Sequence, residues 1–130
     1  MPSIFSKIIN REIPANIIAE DEYCIAFLDV FPLVKGHVLI VPKKEIDYLF
    51  NLDDDLLQHL FLFSKKISIA IEKAIPCKRI GVAVIGLEVP HAHIHLVPLQ
   101  TVDDINFTRP KLKIDNDELA SIAASIKSFL

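Results

Sequence analysis

Two periods of apolar recurrence, one near two residues and one near 3.6, take turns along this chain and mark out its elements. Ile4, Phe5, Ile8 and Ile9 recur at helical spacing behind Ser3, a capping residue, and Pro14 ends that short helix. Two β-rich runs follow, residues 17–20 and 23–29, with Asp21-Glu22 between them reading as a hairpin turn. Residues 31–36 form a loop punctuated by Pro32 and Gly36, which delivers a strand over 37–41 that Pro42 stops.

From residue 51 to 75 the period becomes helical and stays so. Asp53, Asp54 and Asp55 crowd the first turn, where the helix dipole favours anions. Leu56, Leu60, Phe63, Ile67, Ala70 and Ala74 make one stripe, widened by Leu57, Phe61 and Ile71, and Pro76 closes the helix. Residues 79–86 read as a buried strand, and the short connection 87–90 leads into a second run of period two, as a tight antiparallel hairpin. After Pro98 the chain turns polar until Asp115-Asn116 caps a final amphipathic helix bearing Leu119, Ile122, Ala123, Ile126 and Phe129. This order predicts an α+β domain: an antiparallel sheet of about five strands, one long central helix, a short N-terminal helix and a C-terminal helix. Neither a repeat nor a linker divides residues 1–130, so a single domain is expected.

Composition narrows the class. With 52% hydrophobic and 24% charged residues, the chain is globular in character and not disordered. A net charge of −3 gives no electrostatic reason to bind nucleic acid, although a small anionic ligand depends on local geometry alone. Cys24 and Cys77 stand far apart without a CxxC partner, which points away from a disulfide framework and towards a reducing compartment. A signal-peptide pattern is lacking at the N-terminus, and no apolar run reaches the roughly 20 residues of a membrane helix. A cytoplasmic protein with no membrane partner is the expectation.

One run asks for chemistry. His91, His93 and His95 occupy every second position, with Ala92, Ile94 and Leu96 between them. On a strand of about 3.3 Å rise per residue the three imidazoles share one face, while the apolar three point into the core. Each ring brings two polar nitrogens that need partners, so stability alone is a poor reason for such a row. Zinc coordination is one chemistry that uses imidazoles, but three ligands on one straight strand span too far to meet an ion at about 2.0–2.1 Å each. Nucleophilic attack on phosphorus is the other: a neutral imidazole forms a phosphorus–nitrogen bond that water later breaks, while a neighbouring ring donates to the phosphoryl oxygens. His37, at the head of its strand, and His59, alone on the long helix, read by themselves as structural residues.

The run from His91 to Val97 resembles the HxHxHxx signature of the histidine triad (HIT) nucleotide hydrolases and transferases. Segments 4–9, 12–15, 25–29 and 37–44 resemble the corresponding HIT segments, so the likeness extends from about residue 3 to residue 99. It implies a homodimer whose sheets join, a nucleoside monophosphate site on each subunit, and a branch resembling the nucleoside phosphoramidases. By that resemblance His93 is the nucleophile, His95 hydrogen-bonds the phosphate, and His91 and His37 support the site. Asp29 matches the position that binds the ribose hydroxyls, and Ile4, Phe5, Ile8, Phe27 and Val30 match the walls of the base pocket. The periodic pattern alone places Phe5, Ile8 and Phe27 in the core.

Two departures are visible. Many bacterial relatives carry zinc on a CxxC pair, a histidine after the Pro-Lys-Lys stretch and the first triad histidine. Here those positions are Ser3, Ser6 and Glu45, leaving His91 alone, so neither zinc nor another cofactor is expected. The segment before the triad is shorter than usual, and Glu88, beside Val89, falls where a serine or threonine contacts the phosphate. A carboxylate there repels phosphate if ionised and can protonate an amine leaving group if not. Hydrolysis of nucleoside 5′-phosphoramidates is the expected activity; a dinucleoside polyphosphate substrate, or nucleotide binding with little catalysis, are the alternatives.

Overall fold

A stripe of Leu60, Phe63, Ile67, Ala70 and Ile71 is buried along helix α2 (Asp54–Ala74) and needs an apolar surface to pack on. In the computed structural model, which describes residues 2–130, that surface is one face of a five-stranded antiparallel sheet. Strands β1 (Ile17–Glu20), β2 (Cys24–Leu28), β3 (Val38–Pro42), β4 (Arg79–Ala83) and β5 (Ile94–Leu99) lie in the order β1-β2-β3-β5-β4. The α+β architecture predicted from the sequence is the one observed.

Strands β2 and β3 are buried at every position because both faces of the sheet are covered. Cys24, Ala26, Leu28, Val38 and Ile40 pack towards α2 and towards helix α3 (Asn116–Lys127), which adds Leu119, Ala123 and Ile126. Ile25, Phe27, Leu39 and Val41 point the other way and join Phe5 and Ile8 of helix α1 (Ile4–Ile9) in a second, smaller cluster. Side chains of alternate residues thus serve two separate cores. Each helix is capped by a side chain: Ser3 accepts from the Ser6 amide and Asp115 from Glu118, as the sequence leads one to expect, while Asp53, read there as part of the first turn, is the cap that accepts from Leu56. Such a cap contributes about 1 kcal/mol. Among the described residues no helix is long and apolar enough to cross a membrane.

The structure corrects four local expectations. Strand β4 ends at Ala83, and it is an edge strand with Arg79 and Val82 exposed, where the pattern reads a buried strand over 79–86. Its apolar content comes from a strand with only one neighbour. Nor is there a tight hairpin, since residues 84–93 form a long connection and the ladder resumes opposite Ala83 at His95. The third difference concerns the histidine run, of which only His95 lies within β5. The amides of His91 and Ala92 bond to Val89 and Ile46 instead of a neighbouring strand. The alternation of side chains survives without the ladder: Ala92, Ile94 and Leu96 belong to the α2 core. Finally, the long helix begins at Asp54 after a separate 3-10 turn over Leu49–Asn51, and Phe61 stays exposed instead of widening the stripe.

Candidate active site

Register places the histidines. His95 pairs with Leu39, whose side chain belongs to the smaller core, so the His95 ring also projects from the face away from α2. The loop between β2 and β3 returns on itself, with the Asp29 amide bonded to the His37 carbonyl at 3.1 Å. Asp29 and His37 are thereby neighbours of His95, and all three offer ligand-type atoms within 4.8 Å of one another. The structure brings His37, His91, His93 and His95 together as four buried imidazoles.

Hydrogen bonds fix the tautomer of each ring. His37 Nδ1 accepts from the Leu33 amide at 3.0 Å, so its proton is on Nε2, which donates to His95 Nδ1 at 3.0 Å. His95 must then carry its own proton on Nε2. Nδ1 of His93 donates to the carbonyl of His91 at 2.7 Å, which leaves a lone pair on His93 Nε2. The His93 and His95 rings are 4.8 Å apart between centroids. The outcome is one nucleophilic nitrogen beside one N–H donor, both assigned by the surrounding bonds.

Burial keeps these rings neutral. It pushes His37 down to about 3, with the nearby His95 and Lys111 adding to the effect. It likewise lowers His95 to about 4, helped by His93 and Lys111. His93 and His91 are lowered for the same first reason, against the raising effect of the carbonyls each one bonds. Asp29 moves the opposite way, raised by burial although its Oδ1 accepts from the Phe31 amide at 3.0 Å.

The residues expected to wall the base pocket divide into two groups. Phe5, Ile8 and Phe27 are buried in the smaller core, where the Phe5 ring stands 5.5 Å from Phe27 and 5.0 Å from His93. Ile4 and Val30 are about half exposed, at 52% and 48%, and so are open to a ligand. Val89 packs against the Phe5 cluster, whereas Glu88 is exposed and close enough to act on the charge of both His93 and Asp29. One contact was not foreseen: Phe107 lies edge-on to His95 at 4.7 Å and to His37 at 6.1 Å. Its only sequence signal is a lone aromatic inside an otherwise polar stretch.

His91 faces a different set of groups. Its Nε2 donates to the Pro42 carbonyl at 2.8 Å, and its Nδ1 accepts from the Ser3 hydroxyl at 2.7 Å. Glu45 Oε1 accepts from the Ser3 amide and from the Ser6 hydroxyl, both at 2.6 Å. These are the positions at which many relatives hold zinc, and their chemistry does not suit it: two neutral hydroxyls replace two thiolates, and every donor has a partner already. The cluster ties α1 to the end of β3 and to the triad by hydrogen bonds alone.

Another metal-type group, Asp21, Cys24 and His59, is likewise committed elsewhere. His59 Nε2 meets Asp21 at 2.6 Å, and burial pushes the Cys24 thiol up to about 12. His59 also borders a surface concavity of about 570 Å³, to which none of the triad residues contributes.

The profile of the HIT domain matches residues 10–102, and the chain belongs to that family. An uncharacterised HIT-like protein of Borreliella burgdorferi is 34% identical over 131 residues, covering 95% of this chain and 94% of its own. Among solved structures, a Hit-like protein involved in cell-cycle regulation from Bartonella henselae, crystallised with an unknown ligand, superposes with a TM-score of 0.86. Its sequence is 29% identical, with 98% of this chain and 96% of that one covered. A hypothetical histidine triad nucleotide-binding protein from Sulfolobus tokodaii gives a TM-score of 0.82 at 27% identity, covering 96% and 89%.

The Glu45 cluster has a signature in pH. Bonds from Ser3 and Ser6 lower its carboxyl from 4.5 to about 2. A depressed folded-state pKa contributes stability that is complete above the unfolded value and is lost as pH falls through the folded one. Glu45→Gln should therefore melt below the wild type at pH 6, and the gap should close between pH 4.5 and about 2 in paired calorimetric scans. A gap independent of pH would remove the carboxylate as its source.

Proposed function

We propose that this protein hydrolyses nucleoside 5′-phosphoramidates, or related nucleoside monophosphate conjugates, through a nucleotidyl-His93 intermediate. The observation that carries this reading is the 2.7 Å bond from His93 Nδ1 to the His91 carbonyl, which aims an unprotonated Nε2 away from the backbone. A structural neighbour, the Sulfolobus tokodaii protein, is described as nucleotide-binding.

His93 Nε2 attacks the α-phosphorus as the bond from phosphorus to the leaving nitrogen breaks; that nitrogen takes a proton from solvent and the amine departs neutral. The ring becomes an imidazolium whose Nδ1–H still points at the His91 carbonyl, a dipole suited to that charge. His95 Nε2–H is placed to donate to a non-bridging oxygen as negative charge builds there. Water then attacks phosphorus, the His93 nitrogen leaves with its electron pair, and the surplus proton passes to solvent. Asp29, next to this pair, is suited to accept from ribose hydroxyls, with Phe5, Ile8, Phe27, Ile4 and Val30 offering apolar contact to a base.

Glu88 supports a second reading. An exposed carboxylate acting on His93 opposes a phosphate, as a protein that binds nucleotides without efficient turnover would show. Assaying a phosphoramidate beside a dinucleoside polyphosphate separates these readings: turnover of the first alone supports phosphoramidase activity, and turnover of neither supports binding.

A second copy of the chain is the partner we propose for the sheet edge. Strand β4 has β5 on one side only, and Val82, Val84, Ile85 and Phe61 are between 40% and 55% exposed near it. Light scattering should give a mass near twice 14.6 kDa, and a monomer at micromolar concentration would leave that edge without this role.

Replacing His93 by Ala should abolish release of nucleoside monophosphate from an aryl phosphoramidate while leaving the fold intact by circular dichroism. Turnover surviving that change removes His93 from the chemistry. Because folding lowers the pKa of His93 and His95, kcat/KM should stay level as pH falls through 6.5 and decline only below it. An acid limb centred at 6.5 or above would mean that the rings titrate as free imidazoles.

A further inference from the structure

Beyond residue 102, where the family match ends, the chain passes back across the histidines. Residues 106–113 contain neither helix nor strand, yet they are fastened along their length. Arg109 donates to the Asp103 carbonyl at 2.9 Å and pairs with the carboxylates of Asp103 and Asp104 at 3.3 and 3.7 Å. The Thr108 amide and hydroxyl both donate to Asn106 Oδ1, at 3.0 and 2.6 Å, and the Leu112 amide bonds to the Pro32 carbonyl at 2.8 Å. This strap sets the Phe107 ring against His95. It also fixes a cation: Lys111 Nζ donates to the Phe107 carbonyl at 2.9 Å and stands 5.3 Å from the centroid of the Phe107 ring.

The charge balance of the site gives that cation a purpose. His37, His93 and His95 are held neutral, Asp29 and Glu88 are carboxyls, and a phosphate brings further negative charge. Among the described residues, Lys111 is the one cation whose charge acts on Asp29, His37 and His95. Lys35, Lys43 and Arg109 are each paired with carboxylates elsewhere, at Glu118, Glu20 and the Asp103–Asp104 pair. An ammonium on a flexible stem, anchored only to a carbonyl oxygen and exposed to solvent, can turn towards an incoming anion without breaking a salt bridge. Glu88, in the connection that precedes the histidines, brings a carboxylate and no cation to that side.

We propose that Lys111 binds the phosphate of the substrate, making the 106–113 strap one wall of the site and letting it favour a nucleotide over its uncharged nucleoside. This inference rests on the nucleotide reading of the site. Phe107 contributes by covering His95 and by carrying the carbonyl that parks the ammonium in the free protein.

Calorimetry with AMP and GMP, and with adenosine and guanosine, tests this on the wild type, Lys111→Gln and Lys111→Arg. Lys111→Gln should bind the monophosphates about tenfold more weakly at low salt, with the deficit shrinking as ionic strength rises. Nucleoside affinity should stay unchanged, and Lys111→Arg should hold the wild-type preference. Equal nucleotide affinity in Lys111→Gln and wild type overturns the proposal. So does a loss shared by nucleosides, which marks the lysine as a support of the strap. A wild type that binds nucleosides as tightly as nucleotides overturns the role of Lys111 and leaves the nucleoside pocket standing. One that binds none of the four ligands removes the nucleotide reading and this proposal with it.

Discussion

The chemistry proposed for this protein depends on a single backbone carbonyl. His91 supplies it, and the proton it holds on His93 Nδ1 decides which nitrogen of that ring is free. The carbonyl can do so only because His91 itself cannot turn: its ring is fully buried and held at both nitrogens, by Pro42 on one side and Ser3 on the other. Ser3 in turn is positioned by the hydrogen bond its amide donates to Glu45 and by capping the Ser6 amide. A surface carboxylate thus reaches the His93 ring through one serine, one imidazole and one peptide group. Among the described residues, no buried side-chain nitrogen or oxygen lacks a partner, so nothing in that sequence of bonds is free to compete for the wrong tautomer.

The same corner shows how hydrogen bonds can join the segments that a metal ion would otherwise bridge. A zinc ion would hold α1 against the triad by four short bonds, two of them to thiolates. Glu45, Ser3, Ser6 and His91 join the same segments with hydrogen bonds of 2.6 to 2.7 Å. Each is individually weaker than a metal bond, but they need no thiolate and no uptake of an ion.

Strong periodicity made the helices legible: α2 and α3 carry apolar stripes, and an aspartate caps each of them where the sequence places one. Strands β2 and β3 were legible for a related reason, as short apolar runs between turn residues. Alternation misled at the histidines because side chains can alternate in an extended segment that makes no ladder. The pattern of His91 to His95 reports which way the rings face and is silent on where pairing begins. Burial misled at β4 because an edge strand can be as apolar in composition as a central one. The site itself is legible mainly through resemblance, since nothing local in the sequence joins Asp29 and His37 to His95. Phe107 and Lys111 escaped altogether, as no periodicity or motif marks a loop residue that reaches the site through tertiary packing alone.

The two cores of the sheet carry a last implication. Ile94 and Leu96 fill the α2 side of β5, while His95 between them occupies the opposite side. Sliding that strand by a single residue would drive an imidazole among leucines and isoleucines and leave aliphatic groups beside His37 and His93. Misfolded forms with slipped pairing are thus excluded by the oily side of the strand, whatever selection acts on the reactive side. Tolerance to mutation should follow suit: a change that loosens Ile94 or Leu96 endangers the aim of His95 even though both lie on the opposite face of the sheet.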